Sequence, residues 1–282
     1  YRPLTLLNCD FKVLSRAVGN RLHHPLDFLV DALQTAFLDG RWIGENVLYH
    51  LGLRDYLQQS GQPGALLLLD LEKAYDLVDR DWVLQTAAAM GFGPGMLQWL
   101  RLLLVPAQAR VCVNGHQSSA FPVRNGLTQG SPLSPVLWVL QLEPLTAYLH
   151  HLTSAGLLRT PLLPSGAPAS PVAHHADDTK LLVSDVDVDG PVAKAAVHLY
   201  CRASNGRENV DKAKGVVLGT HRAVEGRHAA TGALFPSPAD PPRLLGVPLC
   251  GDLDQAAALC YDTRLAALER LSRLWRQHEL SM

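Results

Sequence analysis

Several features that would place this chain in a special class are scarce or missing. Its 282 residues carry 25 basic and 26 acidic side chains. The formal net charge is therefore −1, without the basic excess typical of proteins that grip phosphate backbones. Aromatic residues are also few, at 6%. Hydrophobic residues nevertheless reach 48%, the share of an ordinary globular protein rather than a disordered one. We expect a folded domain with a substantial core.

Cysteine pairs, a secretory leader and long apolar runs are missing as well. The five cysteines are too widely scattered for a zinc knuckle or an evident disulfide framework. No apolar run approaches the roughly 18 residues that span a bilayer. We therefore expect an intracellular protein with reduced thiols and no membrane segment, for which cytoplasm and nucleus are both compatible compartments. Because the chain starts at Tyr1 and not at Met, we expect it to be part of a longer protein.

Apolar periodicity predicts an α+β chain with a mixed or antiparallel sheet. Helices are predicted in the ranges 4–33 (restarted at Pro25), 46–59, 82–90, 96–104, 132–149, 192–203 and 259–277. The apolar run 65–69 predicts a strand buried on both faces. Asn114-Gly115 predicts a hairpin turn, and residues 172–185 are predicted to form two strands around a tight turn. The Pro- and Gly-rich ranges 156–171 and 220–242 are predicted to be loops.

Acidic side chains stand at two of these strand ends. Asp70 directly follows the run 65–69, and Asp177-Asp178 lies at the tip of the predicted hairpin. If the two strands are neighbours in one sheet, three carboxylates converge. Hard divalent cations such as Mg²⁺ prefer such oxygens, and two ions would activate an attacking hydroxyl and stabilise a leaving oxygen. The alternative is that each aspartate only caps a turn, which the residues alone leave open.

Six short segments around these aspartates occur in a characteristic order. They cover residues 1–8, 70–76, 125–135, 175–178, 209–212 and 245–249. Together they resemble the motifs of reverse transcriptases from non-LTR (LINE-type) retrotransposons, which are related to group II intron reverse transcriptases. The resemblance extends over nearly the whole chain. It departs from the family pattern at His175, where an aromatic residue is usual, and at Thr128, where an arginine is common.

The resemblance implies the palm and fingers of a right-hand polymerase, an α+β fold in which helices pack on an antiparallel sheet. Fingers would comprise residues 1–61, truncated at the N-terminus, and 91–124. The palm would comprise 62–90 and 125–255. Residues 256–282 would lead into a thumb that is missing or only begun.

The resemblance also implies a role for individual residues. Asp70, Asp177 and Asp178, helped by the carbonyl of Leu71, would bind two Mg²⁺ ions, with Mn²⁺ as a possible substitute. Lys212 would act with the three aspartates in catalysis, as the proton donor to the departing pyrophosphate. The incoming nucleotide would be bound by residues of several motifs: Arg2, Leu71, Tyr75, Gln129 and Gly130. The ring of Tyr75 would exclude a ribose 2′-hydroxyl.

The function implied is that of an RNA-directed DNA polymerase domain of a retrotransposon. It would add deoxynucleotides to the 3′-hydroxyl of a DNA primer on an RNA template. Its other partners would be deoxynucleoside triphosphates and the thumb and endonuclease regions of a longer polyprotein. The alternative is a catalytically inactive retroelement remnant that folds and binds RNA without extending a primer.

Overall fold

The computed structural model describes residues 5–105, 108–237 and 241–249, together with scattered positions between 258 and 270. Within them the helices are α1 Cys9–Leu29, α2 Ile43–Ser60, α3 Ala74–Leu77, α4 Arg80–Ala89, α5 Pro94–Leu104, α6 Ser134–Ser154 and α7 Asp189–Ser204. The strands are β1 Pro63–Leu69, β2 Gln108–Ala109, β3 Cys112–Val113, β4 His116–Gln117, β5 Phe121–Pro122, β6 Val172–His175, β7 Asp178–Val183, β8 Lys214–Gly219, β9 Gly226–Arg227, β10 Leu234–Phe235, β11 Arg243–Leu244 and β12 Val247–Pro248.

A six-stranded sheet in the order β6-β7-β1-β8-β10-β9 forms the centre of the fold. Strand β1 is antiparallel to both of its neighbours, with Leu67 opposite Leu181 of β7 and Gly215 of β8. Only β10 runs parallel to its neighbour β8 among these pairings. The predicted mixed or antiparallel sheet is therefore confirmed, and so is the adjacency of the two strands that carry the aspartates.

The two faces of β1 belong to different hydrophobic cores. Leu67 and Leu69 face a large core built with α1, α4, α5, α6 and α7. Leu66 faces a smaller core that contains Leu53 and Leu57 of α2. Burial on both faces explains why β1 is a continuous apolar run and not an alternating one. Because both faces are apolar, the register of β1 depends on its hydrogen-bonded pairing with β7 on one side and β8 on the other.

Most predicted elements are present, but the structure differs from the prediction in three places. Pro25 does not restart the chain, because α1 continues through it to Leu29. Leu22 and Leu26 on either side of it are completely buried, and this packing outweighs the hydrogen bond that a proline removes. No strand was predicted at 214–219, where β8 pairs with β1 along six residues. The range 220–242, predicted to be a loop, contains the short strands β9 and β10, which extend the central sheet beyond β8.

The hairpin turn predicted at Asn114-Gly115 is confirmed by backbone geometry. Asn114 and Gly115 both have positive φ, at 50° and 81°, and join β3 to β4. This is the geometry that favours an Asn-Gly pair in a hairpin. Residues 245–246 similarly join β11 to β12.

Some predictions fall outside the described part of the chain. Arg2 is not among the described residues. The predicted helix 259–277 is described only at scattered positions up to 270, and those positions are helical.

Among the residues that the structure describes, no helix is both long and apolar enough to cross a membrane.

Candidate active site

Asp70 and Asp178 lie side by side at one edge of the sheet. The register of β1 and β7 pairs Leu69 with Thr179, so the next residue of each strand end is Asp70 on one side and Asp178 on the other. Strand β6 ends at His175, which pairs with Asp178, and only Ala176 and Asp177 form the turn between them. The strand pairing therefore brings Asp70 next to Asp178 and the Asp177 turn, which lie more than 100 positions further along the chain.

The turn that carries Asp177 is held by a buried glutamine. Ala176 has a positive φ of 55°, a backbone conformation that is uncommon for a residue with a side chain. Its amide donates to Oε1 of Gln34, 3.3 Å away, and the same oxygen accepts from the Ala36 amide at 3.1 Å. Gln34 is 2% exposed. A single carboxamide thus supports the strained turn from behind.

The segment that contains Gln34 runs along β6 like a short extra strand. The His174 amide donates to the Leu33 carbonyl at 3.0 Å, and the Thr35 amide donates to the His174 carbonyl at 3.1 Å. Buried Asn46 donates to both carbonyls, those of Leu33 and His174. None of these supports was identified from the sequence. The only sequence signal is an amide or hydroxyl residue at a buried position, which does not reveal its distant partner.

Negative charge accumulates at the hairpin. Burial raises the pKa of the Asp178 carboxyl, and the nearby carboxylates of Asp177 and Asp70 raise it further, while Lys180 opposes this effect. Burial also lowers the pKa of Lys180 to about 8. The Lys180 ammonium lies 3.5 Å from the Asp178 carbonyl. A site with these electrostatics favours a bound cation.

The segment after β1 is joined to the segment before α6 by backbone hydrogen bonds. The Leu127 amide donates to the Tyr75 carbonyl at 2.6 Å, and the Gly126 amide donates to the Val78 carbonyl at 2.8 Å. Gly126 has a φ of +90°, and a Cβ there would lie 2.8 Å from the Asp76 carbonyl oxygen. Only glycine allows the two segments to approach so closely.

Gln129 and Gly130 stand at the end of this joined region. The side-chain Nε2 of Gln129 donates to Oδ1 of Asp76 at 3.0 Å, and this bond orients the Gln129 side chain. Its carbonyl accepts from the Thr5 amide at 3.2 Å. Gly130 is exposed and has a φ of +101°. Asp76 therefore orients the Gln129 side chain, and Gly130 presents bare backbone to the cavity.

Tyr75 lies flat on a buried tryptophan. Its ring and that of Trp138 in α6 have centroids 5.0 Å apart and planes 24° apart. Trp138 is 2% exposed and has little freedom to move. The stacked pair fixes the orientation of the tyrosine ring at the cavity wall.

Lys212 reaches Asp70 from the loop before β8. Its Nζ lies 3.1 Å from Oδ2 of Asp70. The loop is tied to the same strand end by main-chain bonds, from the Asn209 amide to the Asp70 carbonyl and from the Glu72 amide to the Arg207 carbonyl, both 2.8 Å. Neither of these two hydrogen bonds uses the Leu71 carbonyl.

A cavity of about 700 Å³ opens at this point. Its lining includes seven of the predicted site residues: Asp70, Leu71, Tyr75, Gln129, Gly130, Asp177 and Lys212. Asp178 is partly buried and partly exposed beside the cavity, and it is not part of the lining. Phe37, which the sequence analysis did not identify, also lines it. Within the described residues, no three acidic, histidine or cysteine side chains converge closely enough to form a ready-made metal site.

The chain belongs to the reverse transcriptase family. The family model described as reverse transcriptase (RNA-dependent DNA polymerase) matches residues 1–249. A transposon TX1 protein of Xenopus laevis, described as an uncharacterized 149 kDa protein, is 30% identical over 220 residues, covering 78% of this chain and 16% of that protein. A Pol polyprotein of the type-1 retrotransposable element R2 from Popillia japonica is 30% identical over 167 residues, covering 59% of this chain and 26% of that protein. The family predicted from the six motifs is confirmed.

Solved structures agree on the fold. Apo telomerase from Candida tropicalis superposes with a TM-score of 0.58 at 11% identity, over 85% of this chain and 39% of that one. Telomerase from Candida albicans, in complex with a fragment of telomeric RNA, gives 0.55 at 13% identity, over 74% of this chain and 35% of that one. The predicted polymerase fold is confirmed. The chain spans only 16% and 26% of the two retrotransposon proteins above.

Proposed function

We propose that this chain is the RNA-directed DNA polymerase part of a retrotransposon polyprotein. It extends a DNA primer on an RNA template with deoxynucleoside triphosphates. One observation carries the proposal: Asp70 and Asp178 are neighbours across β1 and β7, next to the Asp177 turn and a cavity of about 700 Å³. A pocket with several carboxylates and a buried, preformed support is what phosphoryl transfer between bound substrates requires.

The donor set fits divalent magnesium. Asp70, Asp177 and Asp178 offer hard carboxylate oxygens, and the Leu71 carbonyl is left out of the bonds to the loop before β8. The raised pKa of Asp178, caused by burial and then by its acidic neighbours, supports a site that a cation would stabilise. When bound, two Mg²⁺ ions, or Mn²⁺ in their place, would activate the primer hydroxyl and neutralise charge on the leaving pyrophosphate.

Lys212 holds a position that the metal would change. It is paired with Asp70, so this carboxylate becomes available only when the ammonium withdraws. The lysine side chain is 66% exposed and unhindered. Released from Asp70, its ammonium stays at the cavity and is suited to donate a proton to pyrophosphate.

The remaining lining residues suit the incoming nucleotide. The Tyr75 ring, fixed against Trp138, would lie under the sugar and exclude a 2′-hydroxyl. Gln129 is oriented by Asp76, and Gly130 offers backbone that a nucleotide can approach closely. We assign Arg2 to the triphosphate on the family resemblance alone. In this proposal the central sheet belongs to the palm (62–90 and 125–255), and α1, α2 and α5 belong to the fingers (1–61 and 91–124).

Primer extension tests the proposal. The natural polypeptide that carries these 282 residues should extend oligo-dT on poly-rA with Mg²⁺, and Asp177→Asn should reduce extension by at least 100-fold. Asp187→Asn is the matched control, since Asp187 is an aspartate paired with Arg222 and His228 away from the cavity. It should leave extension unchanged. RNA binding without extension by the wild type would instead establish the inactive remnant, and normal extension by Asp177→Asn would refute the metal assignment.

A further inference from the structure

A buried ion pair lies directly behind the loop that carries Lys212. Lys194 of α7 contacts Glu208 of the loop, and their side chains are only 5% and 4% exposed. The second carboxylate oxygen of Glu208 lies 3.8 Å from Nε2 of His198, one turn further along the helix. That oxygen makes no hydrogen bond within the described residues. The pair is therefore almost dry, with a single close partner for each charge.

Such a pair adds little net stability to the fold. Removing two charges from water costs about as much as their attraction returns, and apolar residues of similar size often do as well. What an ion pair supplies that an apolar contact does not is direction, because the carboxylate must meet the ammonium at one place. The benefit expected here is the position of the segment to which Glu208 belongs.

That segment is paired through its backbone with residues 70–72, directly after β1. Glu208 pairs with Leu71 in an antiparallel bridge. The flanking amides of Glu72 and Asn209 donate to the carbonyls of Arg207 and Asp70 at 2.8 Å. A displacement of Glu208 therefore also displaces Asn209, whose amide is hydrogen-bonded to the Asp70 carbonyl.

The same segment determines the position of the Lys212 backbone. The Lys212 amide donates to the Asn209 carbonyl at 3.2 Å, and it lies 3.4 Å from the Asn209 side-chain oxygen. This turn directs Nζ to Asp70. At the other end of the loop, Asn205 is anchored separately, because its side-chain amide donates a hydrogen bond to the Leu77 carbonyl. Loss of the ion pair should thus loosen 207–212 and leave the rest of the loop in place.

We propose that Lys194 and Glu208 are positioning residues that hold the 207–212 segment so that Lys212 lies at Asp70. Neither side chain lines the cavity, so they act only through Lys212 and the Asp70 strand end. The kinetic consequence rests on the proposed polymerase function; the structural consequence does not.

Hydrogen exchange tests the structural consequence without any activity. In Lys194→Met, peptides covering 207–212 and 70–74 should exchange at least tenfold faster, while β7 and α6 keep wild-type protection. The matched control is Arg159→Met, which removes the ion pair of Arg159 with Asp189 at the N-terminus of α7, away from the 207–212 segment. It should leave 207–212 unchanged. Unchanged exchange at 207–212 in Lys194→Met would overturn the proposal, and so would faster exchange across the whole molecule.

Kinetics test the link to Lys212. Lys194→Met should lower kcat for primer extension about tenfold and change KM for the deoxynucleotide less than twofold. In a Lys212→Ala background it should cause a much smaller loss, because only the effect on the Asp70 strand end remains. The charge-exchanged double variant Lys194→Glu/Glu208→Lys should recover kcat to within about threefold of the wild type and restore slow exchange at 207–212. Full additivity with Lys212→Ala, or no recovery in the exchanged variant, would contradict positioning through Lys212.

A milder variant covers the case in which Lys194→Met does not fold. Glu208→Gln keeps the shape of the side chain and removes only its charge, so 207–212 should exchange about threefold faster within an intact fold. Exchange equal to wild type in that variant would overturn the proposal. If the exchange results hold and the wild type extends no primer, only the polymerase proposal fails.

Discussion

The Nζ atom of Lys212 lies 3.1 Å from Oδ2 of Asp70, although 142 residues separate the two along the chain. The contact places a cation at one of the proposed metal ligands. The lysine is therefore both a competitor of the metal and a candidate proton donor. Its removal should strengthen metal binding through the first role and slow turnover through the second.

Lys212→Ala should therefore bind Mn²⁺ more tightly but turn over more slowly. Loss of the competing ammonium should tighten Mn²⁺ binding about two- to fivefold, the range expected for an exposed ion pair. Loss of the proton donor should lower kcat by about 100-fold. Electron paramagnetic resonance titration of Mn²⁺ and single-turnover extension measure the two effects. Lys214→Ala, on an exposed lysine of β8 that does not line the cavity, is the control and should change neither.

Tyr75 should determine sugar selectivity through its stacking on Trp138. Tyr75→Ala opens the space beside the ribose and should reduce the preference for deoxynucleotides over ribonucleotides by about 100-fold. Trp138→Leu leaves the tyrosine in place but removes its support, and should reduce the preference about tenfold. The ratio of kcat/KM for dTTP and UTP on poly-rA measures this. Unchanged selectivity in Tyr75→Ala would exclude a steric role for the ring.

Gln34 should be needed for the geometry of the Asp177 turn. Gln34→Leu has a similar volume but offers no acceptor to the amides of Ala36 and Ala176, which would then be buried without partners. We expect a loss of stability of about 2 kcal/mol and a drop in kcat of at least tenfold. Urea unfolding and primer extension measure the two effects. Gln34→Met, which has a similar shape and also lacks the acceptor, should show the same losses, whereas wild-type stability and activity in either variant would argue against a role of the hydrogen bonds.

The sequence predicted the ends of elements better than the contacts between them. The position of Asp70 followed from the apolar run before it, because both faces of β1 are covered by helices. The strand β8 escaped prediction because Gly215 and Gly219 interrupt a short apolar pattern. Pro25 was misjudged because local rules cannot include the packing of Leu22 and Leu26.

The candidate site shows the same division. The three aspartates and Tyr75 could be proposed as site residues because ordered motifs surround them. Gln34 and Asn46 could not, since each also binds a main-chain group of the β6–β7 hairpin more than 120 residues away. The Lys194 and Glu208 pair joins a helix to a loop, and no spacing rule predicts such a contact. What the sequence omitted are the buried polar groups that support the site.

Glu143 should destabilise the protein at alkaline pH. Burial raises the pKa of its carboxyl to about 7, from an ordinary value of 4.5. The folded protein therefore holds a proton there that the unfolded chain has lost. The resulting stability is complete below about pH 4.5 and disappears as the pH rises through 7. Glu143→Gln still accepts from the Asp31 amide.

The Glu143→Gln variant should accordingly melt about 2–4 °C above the wild type at pH 8, after allowance for solvent screening of a partly exposed group. At pH 4.5 the two proteins should melt together. Calorimetry at both pH values measures this difference. A gain of equal size at both would show that packing, and not ionisation, is responsible.

His50 should have the opposite pH signature. Burial lowers the pKa of its imidazole to about 4 from an ordinary 6.5, and the ring is 3% exposed in α2. The unfolded chain therefore binds a proton that the folded protein refuses. The resulting stability is complete above pH 6.5 and is lost as the pH falls through 4. His174, whose pKa burial lowers to about 3, adds a second loss of the same sign.

Replacing His50 removes only its own share of the acid sensitivity. In His50→Leu, the slope of the unfolding free energy between pH 6.5 and 4 should fall by about one proton, or about 1.4 kcal/mol per pH unit. The urea midpoint followed across this range measures the slope. Leu48→Ala, at a residue of α2 that is 62% exposed and carries no titratable group, is the control and should leave the slope unchanged. A His50→Leu slope equal to that of the wild type would mean that His50 takes up its proton without unfolding, and that His174 carries the acid transition alone.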